Sequence, residues 1–108
     1  MIAVIDYGLG NLRSVAKAFE VVGGNVSIIK NPKDIRTAKA VVLPGVGAFY
    51  KGMKNLNDLG FTPYIYEAIK QNVPFLGICL GLQLLFTESE EHGRHKGLDI
   101  IKGNVEKF

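Results

Sequence analysis

Short, dense apolar runs alternate with amphipathic segments along this chain, and this alternation limits the fold more than any other feature. The apolar runs lie at residues 2–5, 26–29, 40–43 and 73–78. Strands that are buried on both faces of a parallel sheet have this composition. We therefore predict an α/β domain of the flavodoxin-like kind, with an open, mostly parallel sheet and helices on both faces.

The segments between these runs carry apolar residues at helical spacing. The first helix is predicted to begin after Asn11, its N-cap, and to stop at Gly23-Gly24. Further helices are predicted at residues 51–59, 63–71 and 80–87. The charged stretch 88–97 is predicted to be a surface loop, and residues 104–108 the start of another strand. Because crossovers between parallel strands are right-handed, these units are expected to form one sheet.

Length and composition fit one ordinary globular domain. The chain has 108 residues, of which 47% are apolar and 21% charged, so it is unlike a disordered segment. The net charge of +3 comes from Lys and Arg residues spread along the sequence. Because they form no basic block, we expect no nucleic-acid partner and no membrane surface. No apolar stretch has membrane-spanning length and no signal peptide is visible, so a cytoplasmic location is expected.

Cys79 is the single cysteine of the sequence. One cysteine cannot form an internal disulfide and is too few for a cysteine-based zinc site, which points to a reducing compartment. We predict no metal and no cofactor. A lone cysteine is more often a small buried hydrophobe than a catalyst, so its position in the chain decides how it is interpreted.

The position of Cys79 is that of a nucleophile elbow. It stands in Gly77-Ile78-Cys79-Leu80-Gly81, a Gly-x-Cys-x-Gly motif between a predicted buried strand and a predicted helix. The sharp turn needs glycine at both ends of the motif, because a side chain there would clash with neighbouring backbone. The alternative is a buried structural cysteine in an ordinary turn between a strand and a helix.

An elbow places the sulfur of Cys79 at the carboxyl edge of the sheet, where open α/β sheets bind their ligands. The free N–H groups and the dipole of the following helix would favour thiolate over thiol. The N–H of Leu80 would face the oxygen of a tetrahedral intermediate. These features predict that Cys79 is a catalytic nucleophile.

A second glycine-rich loop, Pro44-Gly45-Val46-Gly47, follows the third predicted strand and so belongs to the same edge. A loop at this place can supply the other N–H of an oxyanion hole, and its two glycines would let the backbone rotate to aim that group. Alone, the loop is better interpreted as a tight turn that ends a strand. Beside an elbow, the oxyanion hole becomes the favoured interpretation.

These motifs resemble those of a known family. Residues 77–83, Gly-Ile-Cys-Leu-Gly-Leu-Gln, are similar to the nucleophile motif of class I glutamine amidotransferases. The segments Asp-Tyr-Gly-Leu-Gly-Asn-Leu at 6–12 and Pro-Gly-Val-Gly-Ala-Phe at 44–49 narrow the resemblance, together with Gly52-Met53 and Lys-Gly-Leu at 96–98. They resemble the glutaminase subunits of imidazole glycerol phosphate synthase. On this resemblance, residues 1–108 are the N-terminal portion of a single amidotransferase domain.

The resemblance implies an activity and roles for particular residues. Glutamine would be hydrolysed to glutamate and ammonia, and the ammonia would pass to a cyclase subunit, a (β/α)8 barrel. Cys79 would attack the side-chain amide and form a glutamyl thioester. The backbone of Leu80, with that of Val46 and Gly47, would hold the oxyanion. The residues expected to bind the substrate are Gly45, Gln83, one helical turn beyond the nucleophile, and Glu91, a candidate for the substrate amino group.

The 108 residues contain no His-Pro-Glu-like motif, which in this family supplies the remaining triad members from a C-terminal half. His92 and His95 lie in the charged stretch and are predicted to be solvated surface residues rather than substitutes. A thiolate without a general acid cleaves amides poorly, so we expect negligible glutaminase activity from these residues alone.

Three other interpretations stay open or are set aside. The chain could be another cysteine-elbow amidotransferase or hydrolase, or a fragment that keeps only partner-binding or folding capacity. Gly8-x-Gly10 hints at a dinucleotide site, but Arg13 stands where the third glycine belongs, and we reject that function. The resemblance instead suggests that the loop around Asn11 faces the partner barrel.

Overall fold

The computed structural model describes residues 1–106 and contains two sheets with helices between their strands. The strands are β1 (Ile2–Ile5), β2 (Val26–Ile29), β3 (Ala40–Leu43), β4 (Phe75–Gly77), β5 (Phe86–Ser89), β6 (His95–Lys96) and β7 (Ile101–Val105). The α-helices are α1 (Leu12–Val21), α2 (Phe49–Asp58), α3 (Thr62–Lys70) and α4 (Leu80–Leu84). A 3-10 helix covers Pro32–Thr37 between β2 and β3.

The main sheet is parallel throughout, in the order β2-β1-β3-β4. Its strands correspond to the four apolar runs, which confirms the predicted α/β class. Leu43, the last residue of β3, pairs with Gly77, the last residue of β4. The two segments that follow these strands therefore leave the sheet side by side at its carboxyl edge.

Both faces of this sheet are covered by helices. Alternate residues of β1 and β3, such as Ile5 and Leu43, pack in one continuous core with apolar residues of α2, α3 and α4. Their neighbours Val4 and Val42 point to the opposite face and are also buried. Helix α1 contacts β1 and β2, and its buried Ala16 lies outside that core. The prediction of helices on both faces is thus confirmed.

The prediction that the chain forms one sheet, with a helix over residues 80–87, is wrong. Helix α4 ends at Leu84, because backbone N–H groups from further along the chain take its last carbonyls. The N–H of Leu98 donates to Leu84 O at 2.8 Å, and that of Ile100 donates to Leu85 O at 2.8 Å. These bonds come from residues distant in sequence, so helical periodicity gave no sign of them.

The residues after α4 form a second sheet, in the order β6-β5-β7. Strand β5 is parallel to β7 and antiparallel to β6, so the stretch predicted as a loop over 88–97 contains parts of two strands. The strand predicted at 104–108 begins earlier, at Ile101. Residues 107 and 108 of that prediction lie outside the described part of the chain. Within residues 1–106, no helix has the length and hydrophobicity needed to cross a bilayer.

Candidate active site

Cys79 lies between β4 and α4, in a backbone conformation that L-residues rarely adopt. Its φ is +54° and its ψ is −121°, values close to those of the first central residue of a type II′ turn, where glycine dominates. A Cβ on Gly81 would overlap Leu43 O, and one on Gly77 would lie 2.7 Å from Leu82 Cα. Cys79 itself is exposed. The predicted elbow, with its need for two glycines, is therefore confirmed, and the buried structural cysteine is excluded.

The first amides of α4 are not free, contrary to the prediction. The N–H of Leu80 donates to Gly45 O at 3.1 Å, and the N–H of Gly81 donates to Ile78 O at 2.9 Å. The Gly45 carbonyl reaches the start of the helix because the loop after β3 packs closely on the elbow, and the Ile78 carbonyl reaches it because the elbow turn is tight. The Leu80 amide is therefore engaged in this structure, and it can meet an oxyanion only by releasing Gly45 O.

The loop after β3 lies directly against the elbow, as the parallel pairing of β3 and β4 requires. Gly45 is buried, whereas Val46 is 60% exposed and Gly47 has a φ of +113°. Among the described residues, neither the Val46 nor the Gly47 N–H donates a hydrogen bond. The loop thus brings two available backbone donors to the sheet edge that carries Cys79.

Tyr7 stabilises this loop through a side-chain hydrogen bond. It follows β1 at the same edge of the sheet, is completely buried, and donates a hydrogen bond from its hydroxyl to Pro44 O at 2.5 Å. Asn55 of α2 in turn donates from Nδ2 to Tyr7 O at 2.9 Å. Burial raises the pKa of Tyr7 well above its ordinary value, so the phenol stays protonated and remains a donor.

Sequence analysis did not identify Tyr7 as part of the site. The signal was available, since Tyr7 follows a buried strand at the carboxyl edge of the sheet, where the chains after parallel strands converge. The hydrogen-bond partner is 37 residues away in sequence, and only the three-dimensional structure brings the two together.

Gln83 lies in α4, one turn beyond the nucleophile, as predicted. Its N–H donates to Cys79 O at 3.2 Å, and its side chain is half-buried. The elbow, the loop after β3 and the first turn of α4 therefore form one contiguous surface at the carboxyl edge of the sheet. An exposed thiol beside unengaged backbone donors is the arrangement that covalent acyl-transfer chemistry requires.

The sequence model of the family described as "Glutamine amidotransferase class-I" matches residues 3–107, nearly the whole chain. The chain belongs to this family. Relatives named "Imidazole glycerol phosphate synthase subunit HisH" are similar over long stretches. The protein from Syntrophotalea carbinolica is 55% identical over 108 residues, which are 100% of this chain and 52% of the relative. That from Aquifex aeolicus is 55% identical over 103 residues, which are 94% of this chain and 50% of the relative.

The amidotransferase fold is also evident from a solved structure. A chain described as "Crystal structure of glutamine amidotransferase" superposes with a TM-score of 0.83, at 18% identity, over 99% of this chain and 57% of that one. At this level of identity the likeness concerns the fold. This amidotransferase chain spans about half the length of the relatives it matches.

Among residues 1–106, no hydrogen bond or ion pair joins Glu91 to the elbow. It follows β5 in a turn, is half-buried, and its N–H donates to the hydroxyl of Ser89 at 3.2 Å. Ser89 is fully buried, so it fixes the backbone of this turn. The structure thus brings Cys79, Leu80 and Gly45 together, while Glu91 lies in the turn that follows β5 of the second sheet.

His92 and His95 interact with each other, and His95 also contacts Tyr50. His92 is exposed, and His95 of β6 stacks on Tyr50, with 5.5 Å between ring centroids. The His95 Nε2 and His92 O lie 3.0 Å apart in a local hydrogen bond. Among residues 1–106, no hydrogen bond joins either histidine to Cys79. Residues 1–106 hold no group of three or more His, Cys, Asp or Glu suited to a metal ion.

Proposed function

We propose that this chain carries the nucleophile side of a glutaminase that hydrolyses glutamine to glutamate and ammonia. One observation carries the proposal: an exposed cysteine on a strained elbow lies against a loop with two unengaged backbone donors. Membership of the class-I amidotransferase family supports glutamine as the substrate. The names of the relatives further support a place in imidazole glycerol phosphate synthase.

The chemistry begins at the sulfur of Cys79. The thiolate attacks the side-chain amide carbon of glutamine, and the carbonyl oxygen becomes an oxyanion. The N–H groups of Val46 and Gly47 donate to that oxygen, and the N–H of Leu80 joins them when it leaves Gly45 O. Collapse of the intermediate breaks the C–N bond, releases ammonia after the nitrogen accepts a proton, and leaves a glutamyl thioester. Water then hydrolyses the thioester to glutamate and restores the thiol.

Substrate binding is assigned to three residues, two in the elbow helix and the 44–47 loop and one in the turn after β5. The half-buried Gln83 offers an amide one turn from the nucleophile, and the buried Gly45 belongs to the loop that lies against the elbow. Glu91 is proposed for the substrate amino group, since a carboxylate suits an ammonium ion. Its place on a turn fixed by Ser89 supports a defined position.

The proton transfers need a general acid and base that residues 1–106 do not bring into contact with Cys79. We assign them to a His and a Glu in a C-terminal half, which the greater length of the relatives supports. Residues 1–108 alone are therefore expected to release ammonia no faster than their Cys79→Ala variant. In the complete heterodimer, a cytoplasmic enzyme of histidine biosynthesis, ammonia would pass to the (β/α)8 cyclase subunit.

The test uses the complete gene product mixed with a cyclase subunit. Ammonia release from glutamine is measured for the wild type, Cys79→Ala and Cys79→Ser. We expect release by the wild type and a loss of at least about 10³-fold in both variants, since the nucleophile acts as a unit with its base. Mass spectrometry of acid-quenched samples should find the glutamyl adduct on Cys79. Equal release by the wild type and Cys79→Ala would refute the proposal.

A further inference from the structure

Tyr7 stands at the end of β1, fully buried, with its hydroxyl directed at the loop that follows β3. We propose that Tyr7 is a positioning residue, whose hydroxyl sets the distance between the 44–47 loop and Cys79. This inference rests on the proposed glutaminase function for its catalytic consequence, although the positioning itself can be measured without activity.

The loop after β3 packs tightly on the Tyr7 hydroxyl. The Tyr7 hydroxyl donates to Pro44 O at 2.5 Å. A Cβ added to the next residue, Gly45, would overlap that same oxygen of the tyrosine. The loop therefore rests directly on the phenol, and its height above the sheet depends on that contact.

A backbone hydrogen bond joins the loop to the elbow. Gly45 O accepts a hydrogen bond from the Leu80 N–H at 3.1 Å. A Cβ on Gly45 would also lie 3.2 Å from the Leu80 Cβ, so the two backbones are in close contact. A shift of Pro44 and Gly45 is therefore transmitted to the residue that follows the nucleophile.

Further contacts hold Tyr7 and the loop in place. Asn55 Nδ2 donates to Tyr7 O at 2.9 Å and ties the tyrosine to α2. Gly10 also packs on the loop, since a Cβ there would lie 3.3 Å from Gly45 Cα. Because burial raises the pKa of Tyr7, the phenol is protonated at neutral pH and its hydroxyl is a donor.

The catalytic consequence concerns the transition state. Removing the hydroxyl leaves the Pro44 carbonyl without its donor, and the amides of Val46 and Gly47 move with the loop. These amides stabilise a charge that exists only after attack, so their displacement lowers kcat and leaves KM almost unchanged. Deleting one oxyanion donor outright costs about 10²–10³-fold in kcat, and we expect a displacement to cost about tenfold or more.

The experiment compares Tyr7→Phe with Tyr66→Phe in the complete protein with its cyclase partner. Tyr66 is a matched control, because its hydroxyl also donates to a backbone carbonyl, Leu98 O at 2.6 Å, away from the elbow. We expect Tyr7→Phe to lower kcat by about tenfold or more with KM changed less than about threefold. Tyr66→Phe should leave both constants at wild-type values.

Amide hydrogen exchange supplies a readout that does not depend on activity. The Leu80 N–H is held by Gly45 O, and we expect it to exchange about fivefold faster or more in Tyr7→Phe, the factor of one lost hydrogen bond. The Ile78 N–H, held by Leu43 O at 3.0 Å, serves as the internal reference and should be unchanged. Alkylation of Cys79 by iodoacetamide should keep its wild-type rate, since the elbow stays in place.

Several results would overturn the inference. Unchanged exchange of the Leu80 N–H or an unchanged kcat in Tyr7→Phe would do so. An equal acceleration of exchange at Ile78, or a variant that does not fold, would also do so, because either result indicates a purely structural role. If the wild type releases no ammonia, the proposed function fails, and the exchange of Leu80 against Ile78 still decides whether Tyr7 holds the loop.

Discussion

The backbone at Cys79 predicts that removing its side chain entirely stabilises the protein. A φ of +54° with ψ of −121° lies outside the left-handed helical region that Asn and Asp tolerate. Any residue with a Cβ is strained there, and such strain costs about 1–3 kcal/mol. Cys79→Ala keeps the Cβ and the strain, whereas Cys79→Gly removes both.

The expected difference follows from two opposing terms. Relief of strain favours Cys79→Gly by about 1–3 kcal/mol, and the greater freedom of glycine in the unfolded chain opposes it by about 0.5–1 kcal/mol. The side chain is exposed, so lost packing adds little to the comparison with alanine. Cys79→Gly should therefore exceed Cys79→Ala in free energy of unfolding by about 1 kcal/mol, or about 4 °C or more in Tm.

The assay is urea unfolding of both variants and the wild type at equal protein concentration, followed by far-UV circular dichroism. Asn72 provides the control, because it also has a positive φ, +60°, in a turn after α3. Asparagine tolerates such angles, so Asn72→Gly should lie within about 0.5 kcal/mol of the wild type. If Cys79→Gly is no more stable than Cys79→Ala, the elbow is not strained and the reasoning from its dihedral angles is refuted.

Two further predictions concern stability. Gly81→Ala should lower the free energy of unfolding by about 3 kcal/mol or more in urea titrations, because its Cβ overlaps a carbonyl of β3. Gly47→Ala should lower it by about 1 kcal/mol, because the space around its Cβ is open and only its positive φ is strained. Equal losses in the two variants would contradict the elbow geometry. The hydrogen bond from Lys102, and to a lesser extent that from Thr87, lowers the pKa of Asp99 below its usual value. The carboxylate therefore stabilises the fold at a pH above its pKa in the unfolded chain. This contribution is lost as the pH falls through its pKa in the folded protein. The stability advantage of the wild type over Asp99→Asn, measured by urea midpoints, should accordingly be complete near neutral pH and shrink below about pH 4, and an advantage that persists in acid would refute this.

The sequence predicted those parts of the fold whose causes are local. Each strand of the main sheet is a short apolar run, and the cap of α1 is visible as Asn11, whose Oδ1 accepts from the Ser14 N–H at 3.4 Å. Gly77 and Gly81 were identified from their spacing around Cys79, because the elbow is itself a local motif.

The sequence did not predict features that depend on distant backbone groups. The end of α4 is set by N–H groups of residues 98–101, and without them the apolar residues up to 87 look helical. The amide of Leu80 was expected to be free, and the carbonyl that takes it belongs to Gly45, on another strand's loop. Tyr7 was missed for the same reason, since its role exists only through Pro44.

The arrangement of the sheet explains why the proposed nucleophile and the proposed oxyanion donors lie in one stretch of chain. They belong to the segments that follow β3 and β4, and the parallel pairing of Leu43 with Gly77 brings those segments together. Oxyanion stabilisation uses backbone N–H groups, which any sequence with the right turn can supply. Protonation of the leaving nitrogen needs a titratable side chain at a particular place, which a neighbouring pair of strands does not provide by itself. The proposed attack step therefore depends on the turns after two neighbouring strands, whereas the proposed proton transfers depend on which further element is brought to the same edge.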